Sequence, residues 1–312
     1  MRRAGLNIHW SKVNILKYHM SDKYLVHSYN YNCGGIGDLF RSIISFYTLC
    51  KKNNIAFYID FTNIPEFKNC FITNDPPTIN LQTYKFIEDH NGNDFMNAII
   101  HKIIHDNINI KIISNGAYLG IKNDILSNIN HINEIIKPSQ CVLEKINQIF
   151  LQYNLHEKKY ISFHLRCGDY YLKKETLYQN DGNDKRTNIL MNDIIYYDNI
   201  IQNFIKKNNV EYPIIIHSDS NEFKTKMKMH NSSYIFLDID IQHVCNSYGK
   251  NTIESFISTL AEFYILSKSA GIIMPVYSGF SHIASIIGTI PLYIISDHVL
   301  INNLGPQDVF YI

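Results

Sequence analysis

The hydrophobic pattern of this chain switches repeatedly between two periods. Short, nearly continuous apolar runs occur at Tyr24 to Ser28, Ile55 to Phe61, Tyr160 to Leu165, Pro213 to His217, Tyr234 to Leu237, Gly271 to Met274 and Pro291 to Ile295. Runs of this length predict strands buried on both faces. Leu39 to Cys50, Ser139 to about Tyr153, Asp193 to Lys207, the stretch from Asn221, Thr252 to Lys268 and Ser281 to Ile287 space their apolar residues as helices do. Between the first strand and the first helix lies a glycine turn, Gly34-Gly35-Ile36-Gly37. From Pro65 to Pro138 the chain mixes Asn, Ile and turn residues, with one apolar run at Ile108 to Ile113, and no clear order of elements emerges. Strands alternating with helices predict an α/β fold with parallel sheets covered on both faces. Two such series, at 1–138 and 139–312, predict two Rossmann-like domains facing each other across a cleft.

Polar residues interrupt the pattern at the strand ends, where ligands bind in parallel sheets because loops and helix N-termini converge there. His164, Arg166 and Asp169 follow one strand and His217, Ser218, Asp219 and Ser220 follow the next. Asp238 and Asp240 end a third, while Ser278, Gly279, Phe280 and Ser281 follow a fourth and open a helix. The set suits a nucleoside diphosphate. Arg166 offers a planar fork of donors, Ser278 and Ser281 with the free N–H groups of their helix form an anion site, and Ser218 and Asp219 suit a ribose or base. The glycine turn would bring backbone close to the ligand from the other domain. Taken singly, each feature has an ordinary structural reading: a tight turn, an N-cap, an Arg166–Asp169 ion pair, a histidine satisfied in the core.

Composition narrows the field. The 312 residues carry 29 Lys+Arg against 28 Asp+Glu, a formal charge of +1, which gives no general electrostatic grip on nucleic acid or anionic lipid. Six cysteines lie scattered, without metal-ligand spacing, and read as ordinary thiols. Asp238-Ile239-Asp240 has the form of a metal-binding pair, but two carboxylates at a strand end are common, and no metal site is expected. There is no apolar run of about 20 residues and no apolar signal segment after Met1-Arg2-Arg3, so a cytoplasmic location is the expectation. Heavy use of Ile, Asn and Lys suggests an AT-rich genome, microbial or viral.

The ordered motifs resemble those of fucosyltransferases. His164-Leu165-Arg166-Cys167-Gly168-Asp169-Tyr170 is similar to the His-x-Arg-Arg-Gly-Asp-Tyr signature of α1,2-fucosyltransferases, and its His-x-Arg core also resembles protein O-fucosyltransferases. Gly34 to Phe40 resembles their N-terminal glycine loop, with one residue of slack, and His217-Ser218-Asp219-Ser220 their Phe-Ser-Asp-Asp element. Ser278-Gly279-Phe280-Ser281 resembles their last Ser-rich motif, and the helix through Glu262 their acidic helix before it. The motifs keep their order from Gly34 to Ser281. Four positions depart from the pattern: Cys167 replaces a second arginine, Asp38 replaces an asparagine, and His282-Ile283 replaces an aromatic pair.

The resemblance implies a GT-B fold in the superfamily that also holds α1,6- and protein O-fucosyltransferases, with domain 1–138 on the acceptor side and 139–312 on the donor side. It implies GDP-fucose as donor, inversion at the anomeric carbon, no obligatory metal or cofactor, and a glycan or glycoconjugate acceptor. Donor contacts would come from Gly35, Ile36, Gly37, His164, Arg166, Asp169, His217, Ser218, Asp219, Ser278, Gly279, Phe280 and Ser281. Arg166 would hold charge on the leaving diphosphate and Asp38 would serve as general base. Tyr170 to Asn192 reads either as an acceptor lid or as a solvated loop. Other readings stay open: another nucleotide-sugar donor, a non-catalytic sugar-binding protein, or, with Gly35-Ile36-Gly37 and Asp60 as a partial fingerprint, a dinucleotide enzyme.

Overall fold

The computed structural model describes residues 23–29, 35–72, 81–85, 92–113, 135–166, 194–239, 252–275, 278–294 and 309–311. The first half contains β1 (Tyr24–Ser28), α1 (Ile36–Lys52), β2 (Ala56–Asp60), α2 (Pro65–Lys68), β3 (Gln82–Lys85), α3 (Gly92–His105) and β4 (Ile110–Ile113). The second half contains α4 (Gln140–Gln152), β5 (Ile161–Leu165), α5 (Ile194–Asn208), β6 (Ile214–Ser218), α6 (Asn221–His230) and β7 (Ile235–Phe236). It continues with α7 (Ile253–Ser267), β8 (Gly271–Met274), α8 (Gly279–Gly288), β9 (Leu292–Ile294) and β10 (Val309–Tyr311). The strands form two sheets, ordered β2-β1-β4-β3 and β10-β9-β8-β5-β6-β7, and every strand pairing is parallel.

The second sheet reverses direction between β5 and β8. From β5 the chain winds outward through β6 to β7, and from β8 it winds the other way through β9 to β10. Helices leaving adjacent strands to opposite sides open a crevice at such a switch point. Side-chain alternation sorts the two faces. Ile161, Phe163 and Leu165 of β5 and Ile214 and Ile216 of β6 pack with Tyr197, Phe204 and Phe223 of α5 and α6. Ser162, His164 and His217 therefore share the opposite face, with Ile215, Ile272 and Met274, which join the core containing α7 and α8.

That core runs through both halves. Phe40 of α1 lies 4.6 Å from Phe263 of α7, and Phe67 of α2 lies 4.5 Å from Phe256. Two further clusters cover the remaining sheet faces, one beneath α3 and one beneath α5 and α6. Near the expected boundary, Phe71 bridges Pro138, and the Ser139 N–H donates to the Cys70 carbonyl at 2.9 Å. The chain then enters α4, which packs on α7.

Most elements lie where the pattern places them, with one difference that matters for the site. Helix α1 begins at Ile36, not Leu39, so Ile36 and Gly37 form its first turn and Gly35 its N-cap. Asp38 is the reason: its carboxylate Oδ2 accepts the Gly35 N–H at 3.1 Å and satisfies a donor that an open turn would leave to water or ligand. The middle of the chain also holds α2, β3 and α3, which its pattern did not resolve, and β10 adds an edge strand after the last one expected.

Candidate active site at the switch point of the second sheet

A helix that follows a parallel strand starts at the strand's carboxyl end. Helix α1 follows β1 and α8 follows β8, and their first turns touch. A Cβ on Gly37 would lie 2.6 Å from the Gly279 carbonyl carbon and 2.7 Å from the Phe280 nitrogen. The carboxyl edges of the two sheets therefore meet at one place. Glycine at position 37 serves this backbone-to-backbone approach, so its missing side chain makes room for α8 itself.

On the second sheet, His164 and His217 are register partners on β5 and β6 and face the same layer. His164 Nδ1 shares a hydrogen bond with Ser281 Oγ in the first turn of α8, and its ring lies 5.7 Å from that of Phe280. Burial first, then the neighbouring His217 and Arg166, lower the His164 pKa to about 3, so the imidazole stays neutral. His217 Nδ1 lies 3.0 Å from Glu262 Oε1 of α7, with both side chains buried. A carboxylate can only accept, so Nδ1 carries a proton. Nε2 is buried without a hydrogen-bond partner.

A second buried polar atom without a hydrogen-bond partner lies at the start of α8. Ser278 is its N-cap and is 2% exposed, yet its hydroxyl caps no backbone group and has no hydrogen-bond partner. The Ser278 N–H points to Met274 Sδ at 3.1 Å, and the next N–H groups have no acceptor within the helix. Buried polar atoms are usually paired, and these two, a ring nitrogen and a hydroxyl, both belong to the carboxyl edge of the second sheet, where a polar ligand would meet them. Arg166 follows β5 directly and is half-buried.

The first half contributes an ion pair. Asp38 Oδ1 accepts from Arg41 Nη2 while Oδ2 holds Gly35, and the Asp38 side chain remains 33% exposed. That Oδ1 lies 4.0 Å from where a Cβ on Gly279 would stand. In the first turn of α8, burial and then the Arg41 charge lower the His282 pKa to about 4.

Other expected site residues have different partners. Ser218 Oγ accepts the Ser220 N–H at 3.1 Å, and Ser220 Oγ caps α6 through the Phe223 N–H at 3.1 Å. Asp219 is half-buried beside them, and Asp238 is exposed, its N–H donated to the Tyr153 hydroxyl at 2.9 Å. Asp60 is committed: it accepts from Thr62 N at 2.8 Å, Thr62 Oγ1, Ser28 Oγ at 3.2 Å and Lys111 Nζ at 2.6 Å. Burial would raise its pKa, but the bonds from Lys111 and Thr62 prevail and lower it to about 2. With Asp60 so engaged and α8 lying against Gly37, the partial dinucleotide fingerprint has neither its ribose acid nor its phosphate turn. Gly34, Cys167, Asp169, Asp240 and the loop Tyr170 to Asn192 lie outside the described residues. Sequence reasoning passed over Arg41 and gave Glu262 no partner; parity along β6 would have put His217 on the α7 side.

No protein-family model matches the sequence, and no curated protein matches it. Solved structures do. An Arabidopsis thaliana FUT1 mutant in complex with GDP superposes with a TM-score of 0.53 at 11% identity, over 88% of this chain and 70% of that one. NodZ α-1,6-fucosyltransferase co-crystallised with GDP gives 0.55 at 13% identity, over 89% and 97%. The same enzyme soaked with GDP-fucose gives 0.54 at 14%, over 88% and 96%. The expected architecture stands: this chain has the GT-B fold, two Rossmann-like domains facing across a cleft, shared with these fucosyltransferase structures.

Proposed function

We propose that the chain is an inverting glycosyltransferase that moves L-fucose from GDP-fucose to a hydroxyl of a glycan or a protein-linked sugar. The observation that carries this reading is the pair of buried, unpartnered polar atoms, Ser278 Oγ and His217 Nε2, at the switch point of a sheet whose rim also carries Arg166. Support comes from the motif order and from the GDP and GDP-fucose complexes of the solved structures that share the fold.

In this reading the diphosphate lies at the start of α8. Its oxygens accept from Ser278, from the first-turn N–H groups and from Arg166, which meet the charge that grows as the glycosidic bond breaks. His217, its tautomer fixed by Glu262, accepts from a ribose hydroxyl or a base N–H. His164 keeps Ser281 and Phe280 in place as a neutral hydrogen-bonding group. Asp38, with a lone pair left on each oxygen, takes the acceptor proton. It is a weak base, and a dissociative transition state needs no stronger one. Arg166 and the N-terminus of α8 fill the role that a metal fills elsewhere, so no metal is required.

The test is a donor panel of GDP-fucose, GDP-mannose, UDP-sugars and NAD, scored by thermal shift and by donor hydrolysis in the presence of a chelator. A guanine-selective shift with slow GDP-fucose hydrolysis is expected. Stabilisation by NAD or a UDP-sugar alone would reject the proposal.

A further inference from the structure

Resting on the transferase reading, we propose that Arg41 is the second cation of the donor site, reaching the diphosphate from the first half while Arg166 and α8 hold it from the second. Position comes first. Gly37 and Gly279 bring the opening turns of α1 and α8 into backbone contact. Arg41 lies one turn after Gly37, and its partner oxygen, Asp38 Oδ1, is the atom nearest the open side of Gly279. Bonded to that oxygen, the guanidinium stands near the first turn of α8, close enough for its charge to bear on His282, and Ser278, the N-cap of that helix, has a buried hydroxyl without a hydrogen-bond partner.

Its bonding is incomplete. A guanidinium has five N–H donors in a fixed fork. Asp38 engages one arm through Nη2, while Nε is buried and makes no hydrogen bond. An arginine that served only to hold the cap of α1 could extend into solvent; this side chain is 26% exposed, and its Nε is buried. Charge adds a reason. A nucleoside diphosphate brings more than one negative charge, the helix start offers about half a positive one, and Arg166 is followed by Cys167, which offers none. Asp38 then has a second task, to hold the fork aimed at α8 before the donor arrives.

The test is calorimetric titration of the full chain with guanosine, GMP and GDP, for the wild type, Arg41→Gln and Arg41→Lys. Arg41→Gln should weaken GDP about 10- to 100-fold while guanosine changes less than about twofold, as loss of a charge-assisted contact predicts. Arg41→Lys keeps the charge and loses the fork, so GDP affinity should fall between the two; it carries the test if the glutamine variant does not fold. Unchanged GDP affinity in both variants would reject Arg41 alone and leave the transferase reading standing. An equal loss for guanosine and GDP would also reject it, as the mark of a merely structural role. Failure of the wild type to bind GDP would reject both.

Discussion

His164 and His282 are imidazoles whose surroundings hold them neutral, and the consequence is measurable. Their folded pKa values, about 3 and about 4, lie below the ordinary histidine value of 6.5. Between pH 6.5 and about 4 the unfolded chain binds protons that the folded chain refuses. Their contribution is therefore whole above pH 6.5 and is lost on acidification, by up to about 1.4 kcal/mol per pH unit for each group. Denaturant titrations at pH 7.5 and 5.0 should show this slope, and His164→Gln should flatten it; an unchanged slope would mean His164 is charged in the fold. Arg166→Ala should abolish transfer and leave the melting temperature within a degree or two, since a half-buried rim residue adds little to the core; a fully active variant would remove Arg166 from the mechanism. The sequence made Arg166, Ser278 and Ser281 visible as polar residues where an apolar run stops. It could not show that Ser278 forgoes its capping bond, or that Ser218 and Ser220 spend their hydroxyls on α6, because those outcomes depend on where neighbouring helices come to rest.

Among elements, the contact of α1 with α8 decides the geometry. Gly37→Ala would push a methyl group into the backbone of Gly279 and Phe280, which cannot rotate away. The variant should lose about 1–3 kcal/mol by overpacking and should also bind GDP less well. Equilibrium unfolding with a GDP titration checks both, and an alanine variant with wild-type stability would show that the helices are not in such close contact. The strands and long helices were legible because apolar period and burial agree in them, as along β5, where Ile161, Phe163 and Leu165 face α5 and α6 while Ser162 and His164 face the other layer. The start of α1 was misplaced because glycines announce a turn, whereas Asp38 caps the helix across them. β3 and α3 were missed because a four-residue strand has too few positions to show a period, and because Gly92-Asn93-Asp94 at the start of α3 reads as a turn.

At the scale of the whole molecule, the two halves share a core through α1, α2, α7 and α8, so the rim that carries the chemistry is set by packing between the halves as much as by either sheet. Two alternating series read from the sequence foretold two sheets. They could not foretell that Phe40 and Phe67 would be buried against Phe263 and Phe256, because a contact between distant segments leaves no local period. The fold agrees with that of fucosyltransferase structures, and identities of 11–14% leave the chemistry to be measured directly. The decisive measurement is release of fucose from GDP-fucose by the purified chain with a chelator present, alongside the Arg166→Ala variant. Slow, metal-independent release by the wild type, its loss in the variant and no release from UDP-sugars are the predicted result. Release that needs added metal, that persists without Arg166, or that occurs only from a UDP-sugar would contradict it.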